Sequence, residues 1–455
     1  MAAKSLAQLN AAHTAVCCNR AASKGSILGT VWPNDLRRLW RRIAASEKST
    51  KKFCSWREHS LKKSTGLKVG CENAEWHCPS GQQDGASSLK IYARVPLTTH
   101  NPPRYPRLVE LFARSRPRLT GTAATASPAG SLAKVAKLVQ PHLEQVETRI
   151  AQQAAAFDPA IEGYVVYAIG SRGKRLRPLL TLLAGGATRE INPGHVDLAV
   201  IVELIHIATL VHDDVMDEAE RRRAQPTANA RWGNSLSVLL GDCLFAHALT
   251  LSTNFENAGI GRAIARTAAT VCSGEMIQTQ RRFDLNLGVQ DYLRIVQMKT
   301  GSLFSAAAEL AAVISEANPS VIERFKNFGF QIGTAYQIYD DCVDLAGNER
   351  ATGKTLGTDL RKGKFTLPVL IFLRSASEFE RERCCQLVLE ERVEEMIELL
   401  KNGATNGALN ESITAGSDLI RDAQTAFDGI KSTPYAEALL CLGDVLCEMF
   451  DQLRV

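Results

Sequence analysis

The stretch that decides the reading is Glu203–Asn229, ELIHIATLVHDDVMDEAERRRAQPTAN. Leu204 to Val211 is an apolar helical run, and at its far end come three carboxylates, Asp213, Asp214 and Asp217. At about 100° per residue they fall at roughly 0°, 100° and 40°, within about one quadrant of a helix, so they are expected to share a field. Like charges a turn apart cost an isolated helix about 0.2–0.5 kcal/mol per pair, and burial raises that cost, so a cation should face them. Hard divalent ions take oxygen ligands, and Mg²⁺ in particular combines one or two carboxylates with waters and substrate phosphates. Five residues on stand Arg222 and Arg223, planar donors suited to phosphate. The bland alternative is a solvated acidic helix end balanced by the ERRR run. Carboxylates beside an arginine pair favour a metal-bridged diphosphate instead.

Recurrence strengthens that reading. At Gln337–Asp344, QIYDDCVD, Asp340, Asp341 and Asp344 repeat the i, i+1, i+4 spacing 127 residues after the first cluster, again behind a helical stretch, Phe328 to Tyr339. Two such clusters facing each other across a helical bundle are suited to clamp one diphosphate through shared Mg²⁺, with Asp213, Asp217 and Asp340 as the expected metal ligands.

Composition bounds the rest. The chain has 455 residues, 45% of them hydrophobic, enough for a sizeable core. Residues 1–130 hold 21 Lys and Arg against 7 Asp and Glu, so this leader carries about +14 while the whole chain is only +6. The leader mixes Ser, Thr, Pro and Gly without sustained periodicity, so it reads as a disordered basic extension. Its acid-poor start fits a plastid or mitochondrial transit peptide. Other readings are a basic arm for anionic membrane or nucleic acid, or sequence upstream of the real start. Cys54, His59, Cys71, His77 and Cys78 match no zinc-finger spacing. No run of 18 or more apolar residues suggests a membrane helix, and no apolar h-region suggests secretion. Twelve cysteines follow no disulfide framework. Cys243, Cys272 and Cys342, in apolar helical contexts, read as buried thiols in a reducing compartment, so a cytoplasmic location is expected.

From Leu132 a helical period carries Val135, Leu138, Val139, Val146 and Ile150, predicting one amphipathic helix. GSRGKRLRP follows a second helical stretch, with Lys174, Arg175 and Arg177 as a dense positive patch before Pro178 opens the next helix. Gly347 to Lys364 reads as a flexible loop whose Lys354 and Lys364 are suited to closing over a diphosphate and excluding water. Helical periodicity resumes at Phe365, with Glu391–Leu400 and Ala436–Leu453 as amphipathic helices, and β-rich runs are scarce.

With these motifs assembled, the chain resembles the trans-type polyprenyl diphosphate synthases of the farnesyl and geranylgeranyl diphosphate synthase family. The resemblance rests on DDxxD twice, GKRLRP at Gly173–Pro178, MKTGSLF at Met298–Phe304 and GKTLGTDLRKGKFTLPVL at Gly353–Leu370, in the family's order from about residue 131 to the C-terminus. It implies an all-α antiparallel bundle of the isoprenoid synthase type around a deep central cavity, residues 131–455. It also implies a Mg²⁺-dependent prenyltransferase that condenses an allylic diphosphate with successive isopentenyl diphosphate units. By resemblance, Lys174, Arg177 and His206 bind isopentenyl diphosphate, with Arg223 beside them. Lys299, Thr300 and Gln337 hold the allylic diphosphate, with Arg222 and Lys354 in support. A homodimer, and peripheral membrane contact for the product, are further expectations; nucleic acid is not an expected partner.

A tail growing from Asp213 runs back along its helix past Thr209 and Ala208. Short-chain members of the family carry bulky aromatics there, so small side chains point to a long all-trans product, stopped deeper, near Leu204, Ile205 or Phe245. The alternatives are a medium-chain, geranylgeranyl-type synthase, a regulatory subunit of a heteromeric synthase, and a class I terpene cyclase. The cyclase needs no isopentenyl diphosphate site, and silent subunits typically lose Asp clusters.

Overall fold

The structure is a computed structural model that describes residues 134–170, 173–222, 225–347, 357–390, 392–401 and 405–454. The basic leader, with every reading attached to it, lies outside the described residues, and so do Arg223 and Lys354.

As the periodicity led us to expect, the described chain is helical. Its sheet content is a two-residue ribbon, β1 Arg221–Arg222 and β2 Gln225–Pro226, paired antiparallel with Arg221 opposite Pro226. The first expected helix is in fact broken. Residues 134–138 form one turn and α1 (Gln140–Gln152) another segment, with Val139 between them at φ −112°, ψ 12°. Pro141 is the cause: it lacks an N–H, and its ring clashes with the carbonyl four residues back, so the helix restarts. Both segments still bury their apolar faces through Val135, Val139, Val146 and Ile150.

After α2 (Pro159–Ile169) and α3 (Leu176–Thr188) comes α4, Pro193–Met216. Asn192 fixes its start. The Asn192 side chain accepts from Gly194 N–H at 3.0 Å and His195 N–H at 3.3 Å, while His195 Nδ1 accepts from Asn192 N–H at 3.0 Å. Such reciprocal caps stabilise by about 1 kcal/mol, and Pro193 at the first helical position adds a preset φ. From Val196 to Ala208 nearly every side chain is buried, so α4 is surrounded by other helices. At 24 residues it spans about 36 Å, long enough to carry its C-terminal carboxylates clear of the core.

The ribbon and α5 (Ala228–Trp232) lead to α6 (Asn234–Ser252), which packs along α4, and to α7 (Ala258–Gln280). Both α4 and α6 are long and apolar enough by composition to cross a membrane. α4 spends that character on the core, whereas α6 leaves Val238 and Leu239 exposed at 41% and 62%.

α8 (Val289–Val296) runs through a π turn, Gln297–Gly301, into α9 (Ser302–Ile314). α10 (Pro319–Ala346) then carries the second acidic cluster. α9 and α10 pack closely because Gly329 and Gly333 face Phe304. A Cβ at Gly329 would lie 2.4 Å from the Phe304 carbonyl, and one at Gly333 2.6 Å from the Phe304 Cβ.

The chain closes with short α11 (Thr358–Arg361), α12 (Leu367–Ser375), α13 (Glu378–Leu389), α14 (Val393–Lys401), α15 (Thr405–Thr425) and α16 (Pro434–Asp451). α15 escapes a reading by eye because Ser412, Gly416 and Ser417 interrupt its buried face. Leu409, Ile413, Ile420 and Ala423 nevertheless hold a helical stripe, and Gly416 makes room for Phe450. The described cysteines are free thiols, but only Cys342 of the three expected to be buried is so; Cys243 is half-buried and Cys272 exposed.

Candidate active site

Of the three carboxylates at the end of α4, Asp213 and Asp217 share the field of Lys299 and Lys364, while Asp214 turns away from it. Asp213 and Asp214 occupy its last turn, and Asp217 caps it, its N–H reaching the Asp213 carbonyl at 2.8 Å. Asp214 is buried and accepts from Arg222 Nε at 2.9 and 3.2 Å, with Arg222 Nη2 at 2.8 Å. That two-pronged pair ties the β1–β2 ribbon to the helix. Arg222 is thus committed to Asp214, which corrects the expectation that it stands free to face phosphate.

Asp213 and Asp217 point elsewhere. Lys299 Nζ stands 3.7 Å from Asp213, pairs with Glu275 of α7 and donates to Gln278 Oε1 at 3.1 Å. Burial alone would lower the Lys299 pKa, but Asp213 and Glu275 hold it above its usual range. Burial raises the Asp213 pKa against the field of Lys299, and nearby Glu275 adds to the rise. Asp217 meets three cations: Arg282 Nη2 at 2.7 Å, Lys364 Nζ at 2.9 Å and Lys362 Nζ at 3.2 Å. Burial opposes them, yet Lys364, Lys362 and Arg282 together keep the Asp217 carboxyl below its ordinary value.

The second cluster is divided in the same way. Asp341 is buried and accepts from Tyr292 Oη at 2.5 Å and Gln337 Nε2 at 2.9 Å. Burial, and then the charge of Asp359, push its pKa well up. Gln337 in turn accepts from Thr300 Oγ1 at 2.8 Å, so Thr300 and Gln337 brace Asp341 across the π turn. Asp344 accepts from the backbone N–H of Thr358 at 3.2 Å and of Asp359 at 3.1 Å, holding the start of α11. Asp340 is half-buried one residue before Asp341.

The two walls meet at two lysines. Lys299 and Lys364 each act electrostatically on Asp213 from the first cluster and on Asp359 beside the second. Gln278, Lys299, Gln337, Asp341, Asp359 and Lys364 line one cavity of about 60 Å³. Lys364 is not on a loose flap: it is 9% exposed, and its N–H donates to the Asp359 carbonyl at 2.8 Å.

The basic loop before α3 reaches the same region. Arg177 stacks its guanidinium 4.6 Å from the Phe304 ring, and its buried Nε has no hydrogen-bond partner among the described residues. Burial lowers its pKa despite the field of Glu203. Lys174 is exposed, its ammonium 6.0 Å from the Tyr336 ring, next door to Gln337. Arg175 is not part of the free positive patch, since Glu147 and Glu203 engage it. His206 is half-buried on α4, and its carbonyl accepts from Thr209 Oγ1 at 2.7 Å. Ala208 is fully buried beside it; Leu204 and Ile205 are fully buried a turn earlier, and Phe245 stacks on His212.

A family profile described as "Polyprenyl synthetase" matches residues 158–402, which include both acidic clusters and the lysines between them. The chain belongs to the polyprenyl synthetase family. This member is 32% identical over 320 residues to the octaprenyl diphosphate synthase of Haemophilus influenzae, covering 69% of this chain and 95% of that one. It is 38% identical over 242 residues to the nonaprenyl diphosphate synthase of Mycobacterium tuberculosis, covering 53% and 72%. Among solved structures it is similar to a polyprenyl synthase from Caulobacter crescentus complexed with calcium and isoprenyl diphosphate. That likeness has a TM-score of 0.64 and 32% identity, covering 73% of this chain and 99% of that chain. The all-α synthase fold expected from the motif order is borne out, and this family member is a prenyltransferase.

The polyprenyl synthetase site fits a divalent cation. Asp213, Glu275 and Asp359 supply oxygen donors around Lys299 and Lys364, and burial raises the carboxyl pKa of Asp213 and, with Asp344, pushes that of Asp359 up to about 6. Among the described residues no three His, Cys, Asp or Glu side chains gather closely enough to hold an ion by themselves. Sequence reasoning missed Glu275, Arg282, Tyr292, Lys362 and Asp359. The signal for Asp359 and Lys362 was present in GTDLRKGK; nothing local marks Glu275 or Tyr292, which reach the site only through helix packing.

Proposed function

We propose that Asp213, Asp217 and Asp340 hold Mg²⁺ on an allylic diphosphate while Lys174, Arg177 and His206 hold isopentenyl diphosphate. The chain makes long-chain all-trans polyprenyl diphosphates. The observation that supports the site assignment is that Lys299 and Lys364, which line one cavity with Asp341 and Asp359, also stand 3.7 Å from Asp213 and 2.9 Å from Asp217 respectively. When bound, Mg²⁺ supplies Lewis-acid stabilisation of the departing diphosphate.

The chain's own residues do the rest. Lys299 and Lys364 present ammonium groups where charge builds as the allylic C–O bond breaks, in a pocket whose burial strengthens their field. Thr300, Gln337 and Tyr292 hold Asp341, and with it the end of α10, in place. Arg177, with its unpartnered Nε, and Lys174 orient the second diphosphate so that the isopentenyl double bond attacks the allylic carbon. Loss of a proton, taken by the departing diphosphate, leaves an allylic diphosphate one unit longer. The small side chains of Ala208 and Thr209 on α4 support a path for the growing tail and hence a long product.

A homodimer is supported by the outward apolar side chains of α6, Val238 and Leu239, with Met276 of α7 exposed at 65%. The same apolar exposure supports peripheral membrane contact for a lipid product. The test is to incubate the purified protein with isopentenyl diphosphate, farnesyl diphosphate and Mg²⁺ and to size the dephosphorylated alcohols. Alcohols well beyond farnesol support the proposal; no elongation in the presence of metal refutes it.

A further inference from the structure

Glu203 is a buried carboxylate, 3% exposed, in the apolar middle of α4, one turn before His206. Its partner is Arg175, whose Nη1 donates to Glu203 Oε1 at 2.7 Å. The same guanidinium forks onto Glu147 of α1, Nε at 2.6 Å and Nη2 at 3.1 Å. Arg175 also sits at φ 51°, ψ 37°, a left-handed conformation that glycine adopts freely and arginine does not, and no side chain caps α3 there. A buried charge pair is weak evidence for stability, because desolvation offsets its attraction. Strained backbone persists where surrounding groups over-determine it, and it clusters at ligand clamps.

What this strain accomplishes is visible on either side of it. The residue before, Lys174, is left exposed, and the residue two after, Arg177, is turned inward with an unsatisfied Nε against Phe304. Glu203 acts electrostatically on both Arg175 and Arg177. We infer that the Glu203–Arg175 pair, steadied by Glu147, is a positioning device that sets Lys174 and Arg177, on either side of the start of α3, for the isopentenyl diphosphate. Glu203 and Arg175 touch no substrate; they fix the backbone from which the binding cations project. The inference rests on the reading of that loop as a diphosphate site.

The experiment measures KM for isopentenyl diphosphate, KM for the allylic diphosphate, kcat and Tm in the full-length protein for Glu203→Gln, Glu147→Gln, Arg175→Lys and Lys174→Ala. Because small misplacements of binding groups cost large factors, Glu203→Gln and Arg175→Lys are expected to raise KM for isopentenyl diphosphate about tenfold or more, with allylic KM within about twofold. Glu147→Gln, at an exposed partner that leaves the core intact, gives a smaller rise of the same sign and decides the matter if Glu203→Gln does not fold. If Lys174→Ala leaves the isopentenyl KM unchanged, the site reading fails and the inference with it. If Lys174→Ala raises it while the Glu203, Arg175 and Glu147 variants leave it unchanged, or move both KM values alike with a lower Tm, the pair is merely structural. In that case the inference is overturned and the site reading stands.

Discussion

Replacing Lys364 with Met removes one of the three cations on Asp217 and should move stability, metal affinity and turnover in different directions. At 2.9 Å the Coulomb attraction of such a pair is about 6 kcal/mol at an effective dielectric of 20, before desolvation is subtracted. Breaking a buried pair usually costs about 3–5 kcal/mol, but Lys362 and Arg282 remain on Asp217, so about 1–3 kcal/mol is the expected net loss. For a domain of this size that lowers the metal-free Tm by roughly 2–5 °C. The folded pKa of Asp217 is depressed, so its contribution is complete above the ordinary carboxylate range and is lost as pH falls through the folded value. The gap between wild type and variant is therefore full at neutral pH and closes in acid. Without substrate, less Mg²⁺ should be needed for half-maximal thermal stabilisation, because a competing ammonium is gone. Turnover should nevertheless fall, since Lys364 is proposed to face the departing diphosphate. The assay is thermal unfolding across pH and Mg²⁺ concentration, with radiolabelled isopentenyl diphosphate for turnover. An unchanged metal-free Tm, or a higher Mg²⁺ requirement for stabilisation, would refute the reasoning.

Ala208→Phe inserts a ring at a fully buried position beside the proposed tail path, at about 1–3 kcal/mol of overpacking, and should shorten the product; alcohols of unchanged length on chromatography count against that path. Asp359, with its folded pKa at about 6 against an ordinary 3.8, binds its proton more tightly in the folded state, so metal-free stability should decline as pH rises from about 4 to about 6. Asp359→Asn should flatten that decline and gain about 2–3 kcal/mol at pH 7 with chelator present, and a less stable variant in calorimetry contradicts it. Leu239→Glu puts a charge on the exposed face of α6 and should convert a dimer to monomers in sedimentation; a dimer that survives unchanged removes that face from the interface.

The helices were legible where apolar residues run on without interruption, as in α4, or repeat at helical spacing, as in α10, and the acidic clusters were legible because their spacing recurs. What each aspartate faces was not. Neighbouring residues on a helix point about 100° apart, so Asp214 and Asp341 turn toward Arg222 and Tyr292, while Asp213 and Asp217 meet Lys299 and Lys364. Those partners come from distant parts of the chain, and no local pattern announces them. Pro141 was in plain view, and its power to break the first helix was underweighted against the apolar period around it. The glycines around Lys364 suggest a flexible flap, whereas Gly363 at φ 70° makes the tight turn that seats it beside Asp217.

The central claim is that the carboxylates of Asp213 and its partners grip the metal–diphosphate, and the most direct measurement is turnover of Asp213→Ala with Mg²⁺ titrated to saturation. Because Glu275 still pairs with Lys299 when Asp213 is removed, folding should stay intact, and turnover should drop by about 10²–10³ or more. Turnover within about tenfold of wild type at saturating metal would contradict the account.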